Sequence, residues 1–140
     1  MPDTLVVDCS VAAKWILPEP DRASALRLLD DYEAGEVTLI APDLLQAEFV
    51  SLLSRRNRRG QLSAEQAQEA FDLMGKCSPR LFETLPRLPL ALELSLRYRL
   101  SLWDCAYLAL AAEHDCQLIT ADRRLFRGAR GRHSLLRLLG

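Results

Sequence analysis

The chain has 140 residues, 49% of them hydrophobic and 26% charged, with a formal net charge of −1. That length and apolar fraction suit one globular domain with a buried core, expected here over residues 1–140, and exclude a disordered or fibrous chain. No stretch approaches the ~18 apolar residues of a membrane span, and MPDTLVVD lacks the basic region and apolar core of a signal peptide, so a cytoplasmic location without membrane partners is the expectation.

The first run, TLVVD (residues 4–8), is short, β-branched and closed by an acid, which predicts a buried strand. Ser10 can cap a short helix, SVAAKWIL, that Pro18 stops. A second helix is expected over about residues 20–34, where leucines and alanines recur at three- and four-residue spacing and Gly35 ends the pattern. VTLIA (37–41) reads as the next strand. Pro42 and Asp43 open a long helix that ends in RRNRRG, and Ser63 with Gln66 has the spacing of a capping box for another. RLFETL (80–85) is expected as a strand, followed by helices over about 88–99 and 102–115 and by the strand QLIT (117–120). A short helix over 122–127 and a last strand in HSLLRLL complete the pattern. Strands separated by helices imply an α/β fold, a mostly parallel sheet of about four to five strands with helices on both faces. Such sheets bind ligands at the carboxyl ends of their strands.

The four cysteines, Cys9, Cys77, Cys105 and Cys116, show no C-x-x-C spacing and are expected as reduced, mostly buried thiols; His114 with Cys116 does not complete a zinc site. Of 18 basic residues only Lys14 and Lys76 are lysine, so 16 are arginine, with clusters in RRNRR (55–59) and RRLFRGARGR (123–132). The planar guanidinium suits phosphate, yet the near-neutral total argues against a general nucleic-acid coat. RRNRR can equally complement a helix dipole.

Four acids stand out. Asp8 ends the first strand and Asp122 follows the QLIT strand, which places both on one rim. Glu48 shares a mostly apolar helical face with Leu44, Leu45, Ser51 and Leu52, and a mid-helix acid there has no cap to make. Asp104 is the one charge between Leu102 and Ala112. Taken singly, Asp104 can complete a capping box with Ser101, Asp122 can cap the helix after it, and Asp8 can accept hydrogen bonds from its turn. Taken together, four close carboxylates repel unless a cation lies among them. An all-oxygen set favours a hard ion, Mg²⁺ with Mn²⁺ as a substitute, and metal-assisted attack of water on a phosphate. With only His114 and His133 in the chain, neither beside a strand-end acid, a histidine base is not expected.

VVDCSVAAKWILPE, PDLLQAEF, LSLWDCAYLALA and LITADRRL, in that order, resemble the successive blocks of PIN-domain ribonucleases, above all the VapC-type toxins of bacterial toxin–antitoxin pairs. The likeness runs from about Leu5 to Leu139. It implies a three-layer PIN-like fold and Mg²⁺-dependent endonucleolytic cleavage of RNA. It also implies a homodimer and a cognate antitoxin that lays a segment across the active-site groove. By the same resemblance Asp8, Glu48, Asp104 and Asp122 fall on the family's metal-binding, catalytic acids. Ser10 and Thr120 fall on supporting polar positions. Arg99 and Trp103 differ from what the family leads one to expect and leave the four acids intact. Arg123 and Arg124, directly after Asp122, are candidates for gripping RNA, and Trp15 belongs either to the core or to the antitoxin groove.

Two other functions fit parts of this pattern. A haloacid-dehalogenase-like phosphatase also ends its first strand in Asp, but that chemistry wants a second acid where this chain has Ser10. A PIN-fold binding or regulatory protein with little or no nuclease activity would keep the fold and act through a partner.

Overall fold

The computed structural model describes residues 2–129 and 133–140; Arg130 and Arg132 of the second arginine cluster lie outside the described residues. Five strands, β1 (Asp3–Val7), β2 (Val37–Pro42), β3 (Arg80–Phe82), β4 (Gln117–Thr120) and β5 (Leu136–Leu138), pair in parallel in the order β3-β2-β1-β4-β5. The helices between them are α1 (Cys9–Ile16), α2 (Arg22–Glu33), α3 (Leu44–Arg58), α4 (Ala64–Cys77), α5 (Leu88–Tyr98), α6 (Leu102–Glu113) and α7 (Arg123–Gly128).

Successive strand residues point to opposite faces of a sheet. Leu5, Val6 and Val7 are nevertheless all buried, as are Leu39, Ile40 and Ala41, so both faces of the sheet centre are covered. Helix α1 packs against α2, α3 and α4, while α6 lies on β1, β2 and β4 and carries α5 outside it. Every residue of α6 from Cys105 to Ala111 is buried, which a helix tolerates only when it is enclosed on all sides. The sheet and its two helical layers agree with the three-layer α/β fold expected from the strand–helix alternation.

Local differences from expectation have identifiable causes. The cap of α1 is Asp8 rather than Ser10: the Asp8 carboxylate accepts the Val11 N–H, and Ser10 stands inside the first turn. Strand β3 stops at Phe82 instead of continuing to residue 85. Its continuation is drawn away because the Asp43 carboxylate accepts both the N–H and the hydroxyl of Thr84, at 3.0 and 2.6 Å. A 3-10 turn over Leu85–Arg87, containing Pro86, follows. Asp43 thus precedes α3 without capping it. The Ser63–Gln66 capping box is closed in both directions, and Gly35 takes a φ of 77° just past α2. Trp15 belongs to the core, its indole N–H donating to the Ala25 carbonyl at 2.9 Å. The cysteines are unpaired, but only Cys105 is fully buried and the other three are half-buried.

The order of the sheet decides where chemistry can sit. From central β1 the chain moves outward on one side through β2 and β3, then returns to the other side for β4 and β5. The direction of winding therefore reverses between β1 and β4, and a crevice opens there at the carboxyl ends of the strands.

A carboxylate cluster at the strand ends

Asp8 and Thr120 stand on either side of that crevice, at the ends of β1 and β4. Asp8 is only 7% exposed and Thr120 is 0% exposed. The Thr120 hydroxyl donates to Asp8 Oδ2 at 2.5 Å, and the Ser10 hydroxyl donates to Oδ1 at 2.5 Å. These hydroxyls are themselves fixed: Ser10 Oγ accepts the Ala121 N–H at 2.9 Å and Thr120 Oγ1 accepts the Asp122 N–H at 3.0 Å. One hydrogen-bonded unit thus ties the first strand to the fourth and holds the Asp8 carboxylate in a single orientation.

Glu48 comes from α3 and is half-buried. Its Oε1 accepts the hydroxyl of Tyr107 on α6 at 2.5 Å. Tyr107 is 2% exposed, and a buried phenol needs a partner for its O–H. Asp104 lies one turn before Tyr107 on α6, so the two share a helical face. The Ser101 hydroxyl caps α6 by accepting the Asp104 N–H at 3.1 Å. The Asp104 carboxylate does not close the second half of a capping box among the described hydrogen bonds, and it remains half-buried toward the other acids. Asp122 caps α7 through Oδ1 alone, which accepts the N–H groups of Arg124 and Leu125.

The electrostatics join these positions. Burial, above all, raises the Asp8 carboxyl from 3.8 to about 6, against the lowering effect of its Ser10, Thr120 and Val11 hydrogen bonds; the charge of Asp104 adds to the rise. Burial likewise raises Glu48, with the Tyr107 hydrogen bond opposing and the Asp104 charge assisting. Asp104 is raised by burial, opposed by Ser101 and assisted by the charge of Asp122. The four carboxylates therefore form one chain of mutual repulsion. None of them has an ion-pair partner among the described residues.

Such a set fits a hard divalent cation by donor type and by charge: it is all oxygen, partly desolvated and uncompensated. It is not a preformed cage. Among the described residues no three His, Cys, Asp or Glu side chains are arranged as a group able to hold a metal ion. Asp8, Glu48 and Asp122 also each have oxygens that accept hydrogen bonds from protein donors. Mg²⁺ accommodates that arrangement because it takes one or two carboxylates directly and keeps several waters.

The structure thus brings all four sequence-identified acids into one electrostatic neighbourhood, with Ser10 and Thr120 bonded to Asp8. Arg123 and Arg124 begin α7 beside Asp122 and are exposed. Tyr107 is the residue that sequence reasoning missed. Its signal was present: a hydroxyl-bearing side chain three residues after Asp104 on an otherwise apolar helix.

Comparison with known proteins gives a consistent picture. The model of the PIN domain family matches residues 5–131. The chain is 35% identical over 123 residues to Ribonuclease VapC1 of Mycobacterium tuberculosis, covering 88% of this chain and 89% of the relative. It is 31% identical over 134 residues to Ribonuclease VapC3 of the same organism, covering 96% and 93%. A crystal structure of VapBC2 from Rickettsia felis bound to a DNA fragment from their promoter superposes with a TM-score of 0.73 at 16% identity, covering 98% of this chain and 99% of that one. At that identity the superposition speaks for the fold.

Proposed function

From the premise that this chain belongs to the PIN-domain family, we propose that it is a Mg²⁺-dependent endoribonuclease, with Mn²⁺ as a substitute ion, and the toxin of a toxin–antitoxin pair. The observation that carries this reading is the convergence of Asp8, Glu48, Asp104 and Asp122 at the β1–β4 crevice with no ion-pair partner among the described residues. The ribonuclease names of the VapC relatives support RNA as the substrate, and the VapBC complex supports a cognate antitoxin as partner. A homodimer is part of the same proposal.

In this reading the four carboxylates hold the ion, directly or through its waters. When bound, a divalent cation activates water and neutralises charge on the phosphate under attack. Ser10 and Thr120 keep both Asp8 oxygens aimed from the floor of the crevice. Tyr107 holds Glu48 at its wall. Arg123 and Arg124 contact the RNA backbone beside Asp122, where their charge offsets the acids that would otherwise repel it.

The test is cleavage of RNA by the purified chain in Mg²⁺, with EDTA and with Asp8→Asn and Asp104→Asn. The expected result is cleavage that requires the ion and is abolished by either substitution while the fold is retained. Undiminished cleavage in EDTA or by either variant overturns the proposal. One observation favours a second reading, a PIN-fold binding protein: no three acids among the described residues are already arranged as ligands. RNA bound by the wild-type chain and left uncut in Mg²⁺ selects that reading.

A further inference from the structure

The first arginine cluster finds a structural role that the carboxylate site does not use. Residues 48, 52, 55 and 59 follow one another at spacings of four, three and four, so they form one stripe along α3 and its C-terminal end. Glu48 at the head of the stripe belongs to the acid cluster. Leu52, Arg55 and Arg59 line a cavity of about 470 Å³ together with Pro18, Glu19 and Arg56. At ~1.5 Å of rise per residue, Arg55 lies roughly 10 Å and Arg59 roughly 16 Å along the helix from Glu48. Cys9, the residue after Asp8, lies within electrostatic reach of Asp8 and Glu48 and also of Glu19 and Arg55, two residues of the cavity wall.

Charge inside the cavity is unevenly committed. Glu19 is bound on one side by Arg56, at 2.5 Å, and faces Lys14 at 3.7 Å on the other. That carboxylate is therefore already neutralised. Arg55 and Arg59 have no carboxylate partner among the described residues, and both are exposed. By contrast Arg58, on the same turn, donates to Ser54 at 2.8 Å and does not line the cavity. The RRNRR segment is thus sorted by the helix into one internally paired arginine, one turned away, and two exposed arginines that line an open concavity with no carboxylate partner among the described residues.

We propose that the Arg55–Arg59 pocket is a phosphate subsite that holds the RNA backbone at a position flanking the scissile bond. The inference rests on the nuclease reading of the carboxylate site. An RNA strand whose phosphate is drawn into a field of four acids needs a positive anchor close by, and planar guanidinium groups suit phosphate oxygens. The pocket is lined by residues after α1 and along α3, the helices that follow β1 and β2, whereas Arg123 and Arg124 follow β4 on the other side of β1, so in the proposal the strand spans the acids between them.

The test measures binding of a single-stranded RNA of about 12 nucleotides, within the usual range of a single-strand site. The comparison uses Arg55→Gln, Arg59→Gln and the double variant, with Arg58→Gln as a control of equal charge change. Binding is read as a function of salt, in EDTA and, in an Asp8→Asn background, in Mg²⁺. Each pocket variant is expected to weaken binding about tenfold at low salt, and the double variant to flatten the salt dependence by about 0.7, the value for one phosphate of a single strand. Arg58→Gln is expected to bind as its parent does. The proposal is overturned if Arg58→Gln weakens binding as much as the pocket variants, if the double variant binds as its parent does, or if the parent binds no RNA in either condition. It is also overturned if the double variant binds RNA normally but loses a co-expressed antitoxin, which would make the pocket a protein-docking site. Arginine-dependent binding, together with RNA left uncut in Mg²⁺ by the chain that keeps Asp8, sustains the pocket and removes the nuclease reading, so the two fail separately.

Discussion

Asp8→Asn should do more than stop cleavage; it should change how the stability of the metal-free chain depends on pH. The Asp8 carboxyl is 7% exposed and titrates at about 6, against 3.8 for an unburied Asp, with burial as the main cause. At about 1.4 kcal/mol per pH unit, holding this group ionised in the folded state costs about 3 kcal/mol. Between 3.8 and about 6 the unfolded chain has released the proton while the folded chain retains it, so stability falls as pH rises through that window. Below the window both states carry the proton and above it neither does, so this contribution levels off on both sides. Asparagine has no proton to lose. Its altered hydrogen bonds with Ser10 and Thr120 add an offset that does not vary with pH, because neither hydroxyl titrates in this range. Urea or thermal unfolding of both proteins in EDTA, from pH 4 to pH 7.5, isolates the effect as the difference between the two curves. That difference should grow in favour of the variant by about 3 kcal/mol, or about 10 °C in Tm for a chain of this size. Parallel curves would refute the reasoning, because they would mean that Asp8 is not desolvated in the folded chain.

Three further outcomes follow from other contacts. Tyr107→Phe removes the hydroxyl that holds Glu48 Oε1 and should cost about 1–3 kcal/mol in chemical denaturation, with a loss of RNA cleavage that added Mg²⁺ does not restore. Arg99 closes α5 in the left-handed region with a φ of 58° and is exposed, so Arg99→Gly should stabilise the chain by about 1 kcal/mol, read as a higher urea midpoint at unchanged slope. Millimolar Mg²⁺ should raise the Tm of the wild-type chain, and the rise should disappear in a combined Asp8→Asn, Asp104→Asn variant; an equal rise in both would place the ion elsewhere.

What the sequence made legible depended on how local the determining interaction is. The β-branched run ending in Asp8, the Ser63–Gln66 capping box and the terminator at Gly35 are settled within a few residues, and the structure agrees with each. Glu48 was identifiable because a helical acid on an apolar face has no local partner. What escaped were choices made by distant contacts. Strand β3 ends early because Thr84 bonds to Asp43, 41 residues before it. Asp8 rather than Ser10 caps α1 because the Ser10 hydroxyl turns to Asp8 and to the end of β4. Tyr107 looked like one more apolar-helix residue because its partner, Glu48, lies 59 residues away. The convergence of the acids was legible through the strand-end rule, while the way their oxygens are committed to protein donors was not.

The bond between Thr120 and Asp8 joins residues 112 positions apart, and β4 cannot dock beside β1 until the chain has been made through Thr120. A nascent chain on the ribosome can make β1, α1 and β2 early, since these pair with near neighbours in sequence. Its crevice nevertheless lacks one wall until Gln117–Thr120 emerges, and Asp104 and Asp122 arrive equally late. If the chain cuts RNA as proposed above, this order keeps its cleft without one wall until β4 has been made.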